Sequence, residues 1–154
     1  MNEIWQSESI IAHTQMLTRS FLHWTKRDLL PGLFNPAGLA KNLFYAPFVV
    51  VSHGTQADPV LNYGNAAALN LWEMSWDEFT RTPSRLTAEM PNRAERTRLL
   101  ERVTTHGFID DYSGVRISKN GKRFQISRAV VWNLTDERGN DCGQAATFGE
   151  WKFL

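Results

Sequence analysis

The chain has 154 residues, of which 42% are hydrophobic and 21% charged, a balance typical of one globular domain with a proper core. The 17 basic and 16 acidic residues nearly cancel, so no overall field attracts nucleic acid or an anionic membrane. Cys142 is the single cysteine, which excludes an intramolecular disulfide and a thiolate-built metal site. There is neither a signal-peptide pattern nor a membrane-length apolar run, and we expect a cytoplasmic protein.

Residues 1–45 are predicted to form an N-terminal helical extension. Apolar side chains recur at helical spacing over residues 7–30, and Ile10, Leu17, Phe21 and Trp24 form a stripe. Such a stripe needs a partner surface, which is either the domain's own sheet or the same helix of a second subunit. Residues 33–47 are predicted to be a loop with at most one helical turn.

Residues 46–154 are predicted to form one domain. A β-branched run at residues 48–52 and a second run at residues 60–63 flank a turn, which predicts a hairpin. Asn65 can cap a short helix rich in alanine, and the sequence from Ser75 to Glu78 is a capping box that opens another helix. Thr82-Pro83 predicts a further helix start.

Residues 92–105 predict a charged helix. Its buried side carries Leu99, Leu100 and Val103, and its many charged residues, among them Arg96, are expected to form a solvated face.

The last third of the chain is predicted to be strand. Residues 108–118 and 123–134 flank Asn120-Gly121, which is the strongest short hairpin motif. A polar turn leads to a final strand at residues 143–154. Strict alternation places five apolar residues of the second strand on one face, namely Phe124, Ile126, Val130, Trp132 and Leu134. Strands separated by a cluster of helices indicate an α+β fold with a mainly antiparallel sheet.

Motifs for catalysis are missing from the sequence. There is no G-x-S-x-G and no glycine-rich phosphate loop. His53 ends a central strand, but no second ligand has the spacing that a metal or haem site requires. We therefore expect no enzyme activity.

Arg128 is unusual, because alternation places it among the apolar residues of its strand. A buried arginine is costly unless it is paired. Either a strand bulge or a salt bridge makes the position harmless, or Arg128 anchors a carboxylate or another anion in a pocket. Arg85, in the turn after Pro83, is a weaker candidate of the same kind.

Several motifs resemble a known family. The sequence from Tyr63 to Glu73, YGNAAALNLWE, together with the capping box that follows, resembles the PAS domain, in which a strand ends in Tyr-x-Asn-x-Ala. Together with GVRISKNGKRF, AVVW and FGEW further on, it resembles the PAS-related MEKHLA domain over residues 46–154. The string that names this family is absent. The resemblance implies a five-stranded antiparallel sheet with helices on one face, and a sensing, regulatory or dimerising role without chemistry.

The resemblance also bears on cofactors. Photosensory flavin-binding relatives carry a reactive cysteine in the helix after the Asn-capped one, where this chain has Ser84. A flavin photoadduct is therefore disfavoured, whereas non-covalent flavin binding remains open, and a haem ligand is unsupported.

The predicted function is to bind a small, mostly apolar ligand, with or without an acidic head group, between the sheet and the helices. Since no output region is recognisable, the signal is expected to pass to a regulatory protein partner or through a homodimer. The alternatives are a ligand-free interaction module and a small enzyme that uses Tyr63, His53 and Arg128. The candidate ligand-binding residues are Arg128, Tyr63, Trp72, Phe79, Phe124, Ile126, Trp132, Arg85 and His53.

Overall fold

The computed structural model of the chain describes residues 3–154, with the backbone alone at residues 90–92. The helices are α1 (Glu8–Thr25), α2 (Pro36–Phe44), α3 (Ala66–Trp72), α4 (Trp76–Phe79) and α5 (Met90–His106), with 3₁₀ turns at Ile4–Gln6 and Ser84–Thr87. The strands are β1 (Val49–His53), β2 (Leu61–Gly64), β3 (Phe108–Ile117), β4 (Arg123–Thr135), β5 (Asp141–Phe148) and β6 (Glu150–Phe153). This order confirms the predicted α+β fold.

The strands form one antiparallel sheet in the order β2-β1-β5-β4-β3, and β6 also pairs with β4. Thr147 of β5 lies opposite Val130, and Glu150 of β6 lies opposite Ser127. Strands β5 and β6 therefore pair with β4 in one continuous register, and Gly149 lies between them. The predicted last strand is present but interrupted there, so the described part of the chain has six strands and not five.

A bulge in the β3–β4 pair changes which face each residue of β4 occupies. Arg128 and Asp111 both have left-handed backbone conformations, with φ of 54° and 57°, and the pairing register shifts around them. Phe124 and Ile126 face the helices α3–α5, whereas beyond Arg128 it is Val131 that faces them. The predicted single face of alternating residues is thus wrong after Arg128, because a bulge inserts one residue and inverts the alternation.

Helix α1 covers the opposite, outer face of the sheet. Leu17 and Phe21 are buried, and the Phe21 ring packs edge-on to Trp132 with 4.9 Å between ring centroids. The indole nitrogen of Trp24 donates to the Asn133 carbonyl at 3.0 Å. The domain's own sheet therefore buries Leu17 and Phe21 of the apolar stripe, whereas Ile10 and Trp24 pack against the same cluster and are half-buried.

Helix ends follow their capping residues. Asn65 and Ser75 accept the amide hydrogens of Ala68 and Glu78 as predicted, and the Ser75 capping box is complete. Helix α2 has nine residues, which is longer than the single helical turn predicted for residues 33–47. Asn35 caps it with Pro36 at the first helical position, an arrangement that favours a helix start.

Asn65 also ties three elements together. Its Oδ1 accepts from the amide of Val50 at 3.1 Å and from that of Ala68 at 3.2 Å. Its Nδ2 donates to the carbonyls of Leu43 at 3.1 Å and Phe48 at 2.8 Å. The side chain thereby fixes α3 against β1 and the end of α2.

Within residues 3–154, no helix is long and apolar enough to cross a membrane.

Candidate functional site

An internal cavity of about 70 Å³ lies between the inner sheet face and the helices α3–α5. The sheet contributes apolar side chains to its floor, namely Val51 of β1, Ile126 and Val131 of β4, and Ala146 and Phe148 of β5. The helical side contributes Trp72, Phe79, Leu99 and Leu100. Rings dominate one end, where Trp72 packs edge-on to Phe79 and Phe148. The cavity walls are therefore mostly apolar, as in small-molecule sites generally.

Arg96 of α5 is the first charged group in this wall. It lies one turn before Leu99 and Leu100 on the same helix face, and it is only 8% exposed. Its Nη2 donates to the hydroxyl of Ser84. Burial, and then the nearby charge of Arg116, lower the pKa of Arg96 to about 10, which leaves it charged at neutral pH.

Strand β3 supplies a second charged group. Tyr112, Gly114 and Arg116 alternate with outward residues and so share the inner face. The Nη2 of Arg116 donates to the Tyr112 hydroxyl at 3.3 Å, and this hydroxyl donates to both oxygens of Glu95 at 3.0 Å. A Cβ at residue 114 would overlap the Tyr112 hydroxyl and lie 3.1 Å from Arg116 Nη1. The glycine therefore provides the space for this pair.

Two ring nitrogens at the cavity have no hydrogen-bond partner. His53 Nδ1 lies 3.0 Å from the Gly54 carbonyl, which can only accept, so Nδ1 carries the proton and Nε2 is a bare acceptor. Burial lowers the pKa of His53 and keeps the ring neutral. His53 Nε2 and Trp72 Nε1 are both buried and unpaired. One acceptor and one donor are thus left unsatisfied beside the same cavity.

The cavity brings together four of the nine predicted site residues. Trp72, Phe79, Ile126 and His53 line it. Phe124 lies behind this layer, with its ring centroid 5.3 Å from that of Trp72.

The other four predicted residues lie elsewhere. Tyr63 and Trp132 are buried in the outer-face cluster with α1, because the bulge turns Trp132 away and β2 presents Tyr63 outward. Arg128, predicted as an anchor, has a side chain 77% exposed and lies 3.6 Å from Glu150. Arg85 pairs with Asp58 at the surface at 3.2 Å. These positions contradict an inward role for Arg128 and Arg85.

Polar residues that were not predicted from the sequence also line the cavity, chiefly Arg96, Tyr112 and Arg116. Arg96 precedes Leu99, Leu100 and Val103 by three, four and seven positions, so helical periodicity places it on their face. Arg116 is four positions from Tyr112 on one strand face. Both patterns are visible in the sequence. Charged side chains are rarely buried, however, so a charged residue beside apolar ones is normally expected to reach solvent.

The residues do not fit a covalently or non-covalently bound flavin. Ser84 lines the cavity where a thiol would be required, and Cys142 packs in the outer-face cluster. A cavity of about 70 Å³ is also well below the ~300–1,000 Å³ of pockets that hold ligands of that size. Among the described residues, no three His, Cys, Asp or Glu side chains are placed to hold a metal ion.

The sequence of residues 11–153 matches the model of the MEKHLA domain family. The chain therefore belongs to that family. The match includes most of helix α1, beyond the region of the resemblance noted above. No curated protein matches the sequence.

Solved structures with the same fold include PAS and light-oxygen-voltage domains. The PAS domain of a protein from Colwellia psychrerythraea has 16% identity and a TM-score of 0.58, with 75% of this chain and 92% of that chain covered. An RNA-binding light-oxygen-voltage receptor has 16% identity and a TM-score of 0.64, with 77% and 34% covered. The light-state dimer of the fungal photoreceptor Vivid has 14% identity and a TM-score of 0.59, with 94% and 96% covered. These likenesses establish the fold.

Proposed function

We propose that this MEKHLA-domain chain is a sensory domain that binds a small molecule in the internal cavity and reports it to a protein partner without catalysis. The observation that carries this proposal is the pair of unpaired ring nitrogens, His53 Nε2 and Trp72 Nε1, beside an apolar cavity. A buried polar atom without a partner costs free energy, and a ligand that hydrogen-bonds to either atom recovers part of that cost. Such a ligand is bound more tightly than by apolar contact alone.

The chemistry at the cavity supports binding over catalysis. Nucleophilic catalysis needs a hydroxyl or thiol beside a base. The Ser84 hydroxyl instead accepts from Arg96, and the basic nitrogen of His53, Nε2, has no hydrogen-bond partner and so makes no contact with that hydroxyl. Neither group is placed to activate the other.

A cavity-filling substitution tests this function. Ala146 lines the cavity, so Ala146→Leu places three further carbons inside it, whereas Ala94 is exposed on α5 and Ala94→Leu is the matched control. We expect a library of small fragments to shift the methyl NMR resonances of Val51, Leu99 and Val131 in the wild type. The shifts should persist in Ala94→Leu and disappear in Ala146→Leu.

If no fragment shifts these methyl resonances, the cavity is not a binding site. The chain would then be a ligand-free interaction module. Shifts that are equal in both variants would place binding outside the cavity and also contradict the proposal.

A further inference from the structure

Two buried guanidinium groups line the same cavity, Arg96 from helix α5 and Arg116 from strand β3. Arg96 is 8% exposed and Arg116 is 7% exposed. Lysine and arginine are almost never buried to this extent unless they are paired. Two such residues at one cavity of about 70 Å³ need a physical reason.

Neither guanidinium has a carboxylate partner in the described part of the chain. The salt bridges there join other residues, and no Asp or Glu oxygen lies within 4.0 Å of either group. Arg116 is linked to Glu95 only indirectly, because both form hydrogen bonds with the Tyr112 hydroxyl. Arg96 contacts the neutral hydroxyl of Ser84, and Asp58, whose charge attracts Arg96 from beyond salt-bridge distance, is itself paired with Arg85. The protein therefore holds two like charges in a low-dielectric site, an arrangement that becomes favourable when a negative charge is added.

The donors of these side chains are also incompletely used. A guanidinium has five N–H donors. Arg96 directs one at Ser84, and Arg116 directs one at the Val115 carbonyl and one at Tyr112. The remaining donors can form the two parallel hydrogen bonds by which arginine binds a carboxylate.

We propose that the ligand of this cavity is a small carboxylate with a short apolar body, whose carboxylate group lies between Arg96 and Arg116. This inference rests on the proposed function and names the ligand class of the same site. The apolar floor formed by Ile126, Val131 and Phe148 receives the hydrocarbon part. This floor disfavours inorganic phosphate, which has no apolar surface to bury.

The size of the cavity limits the ligand further. One water-sized atom needs about 10–15 Å³ of such volume, so about 70 Å³ holds roughly five non-hydrogen atoms. Among short aliphatic acids, propionate is of this size, and isobutyrate and isovalerate are slightly larger and test its upper limit. Isobutyramide has the same shape as isobutyrate without its charge, and is the matched neutral probe.

Isothermal titration calorimetry of the intact chain with these acids, with isobutyramide and with inorganic phosphate tests the inference. We expect at least one acid to bind, with isobutyramide and phosphate at least 10-fold weaker. The variants Arg96→Gln and Arg116→Gln should each weaken binding of the acid about 10- to 100-fold, since a hydrogen bond to a charged group is lost. Arg98→Gln removes an exposed charge from the same helix and should leave affinity unchanged.

Stability of the ligand-free variants separates loss of a contact from loss of the fold. If the buried charges are uncompensated, Arg96→Met should leave the urea midpoint equal to or above that of the wild type. A large fall in that midpoint would show that Arg96 is already paired within the protein, and would overturn the inference. Binding of isobutyramide or phosphate in preference to the acids would also overturn it.

The proposed function can survive that result. If neutral fragments still shift the cavity methyl resonances while no acid binds, the sensory cavity stands and only the ligand class is wrong. If neither acids nor neutral fragments bind, both proposals fail together.

Discussion

Replacing Asn65 by alanine should be among the most damaging single changes outside the cavity. The side chain is fully buried and makes four hydrogen bonds, to the amides of Val50 and Ala68 and to the carbonyls of Leu43 and Phe48. Alanine has no polar side-chain atom, so the substitution removes all four hydrogen bonds at once. The backbone groups left behind are buried by α2, β1 and α3, where water does not readily replace the lost bonds.

The magnitude follows from these contacts. A hydrogen bond of this kind contributes about 1 kcal/mol net, so four suggest a loss of about 4 kcal/mol in the free energy of unfolding. Loss of the helix cap alone would cost only about 1 kcal/mol. For a chain of this length, a loss of 4 kcal/mol lowers Tm by about 8–16 °C.

Urea unfolding monitored by tryptophan fluorescence measures this difference. Asn70→Ala is the matched control, because Asn70 is exposed on the same helix, and it should change stability by no more than about 0.5 kcal/mol. Asn65→Asp keeps the acceptor but loses both donor bonds, and should be intermediate or worse. A loss of less than about 1.5 kcal/mol for Asn65→Ala would refute the argument, because Asn65 would then be no more than a helix cap.

Three further outcomes are expected. Burial lowers the pKa of His13 to about 4, so the unfolded chain binds a proton near pH 6.5 that the folded chain binds only near pH 4. Stability is then intact above pH 6.5 and falls as the pH drops toward 4; urea titrations at several pH values should show a shallower fall for His13→Gln. Gly114→Ala places a methyl group against the Tyr112 hydroxyl and should cost about 1–3 kcal/mol by overpacking, with an unchanged urea midpoint as the contrary result. Phe21→Asp buries a charge under α1 and should unfold the chain; a folded variant of lower mass by light scattering would show instead that Phe21 joins two subunits.

The candidate site was only partly predictable, for a reason that Arg128 and Trp132 make clear. Alternation along β4 assigns both to the pocket face, and it holds as far as Ile126. The left-handed residue at Arg128 then shifts the strand by one position, so Trp132 faces α1 and Val131 faces the cavity. Nothing local marks an arginine as the residue of a bulge, because left-handed backbone is favoured by glycine and asparagine.

The buried arginines were missed for a related reason. Periodicity places Arg96 on the apolar face of α5, but sequence alone does not show that strand β3 and the 3₁₀ turn at Ser84–Thr87 enclose that face. The long side chain of a surface arginine can reach solvent from the edge of an apolar stripe. Whether Arg96 reaches solvent or is enclosed depends on how closely α5 approaches β3.

Helix caps and hairpin turns were determined by the sequence alone. Asn65, the Ser75 capping box and Asn120-Gly121 each satisfy or bend the backbone within a few residues, so their effect does not depend on distant parts of the chain. The alternation of helix and strand, and with it the α+β fold, followed from these local elements. The tertiary structure decided the rest: the bulge that inverts β4, the packing of α1 on the outer sheet face, and the convergence of Arg96 and Arg116 on one cavity. Each depends on contacts between residues far apart in the chain, which pack in one arrangement only once the whole sheet has formed.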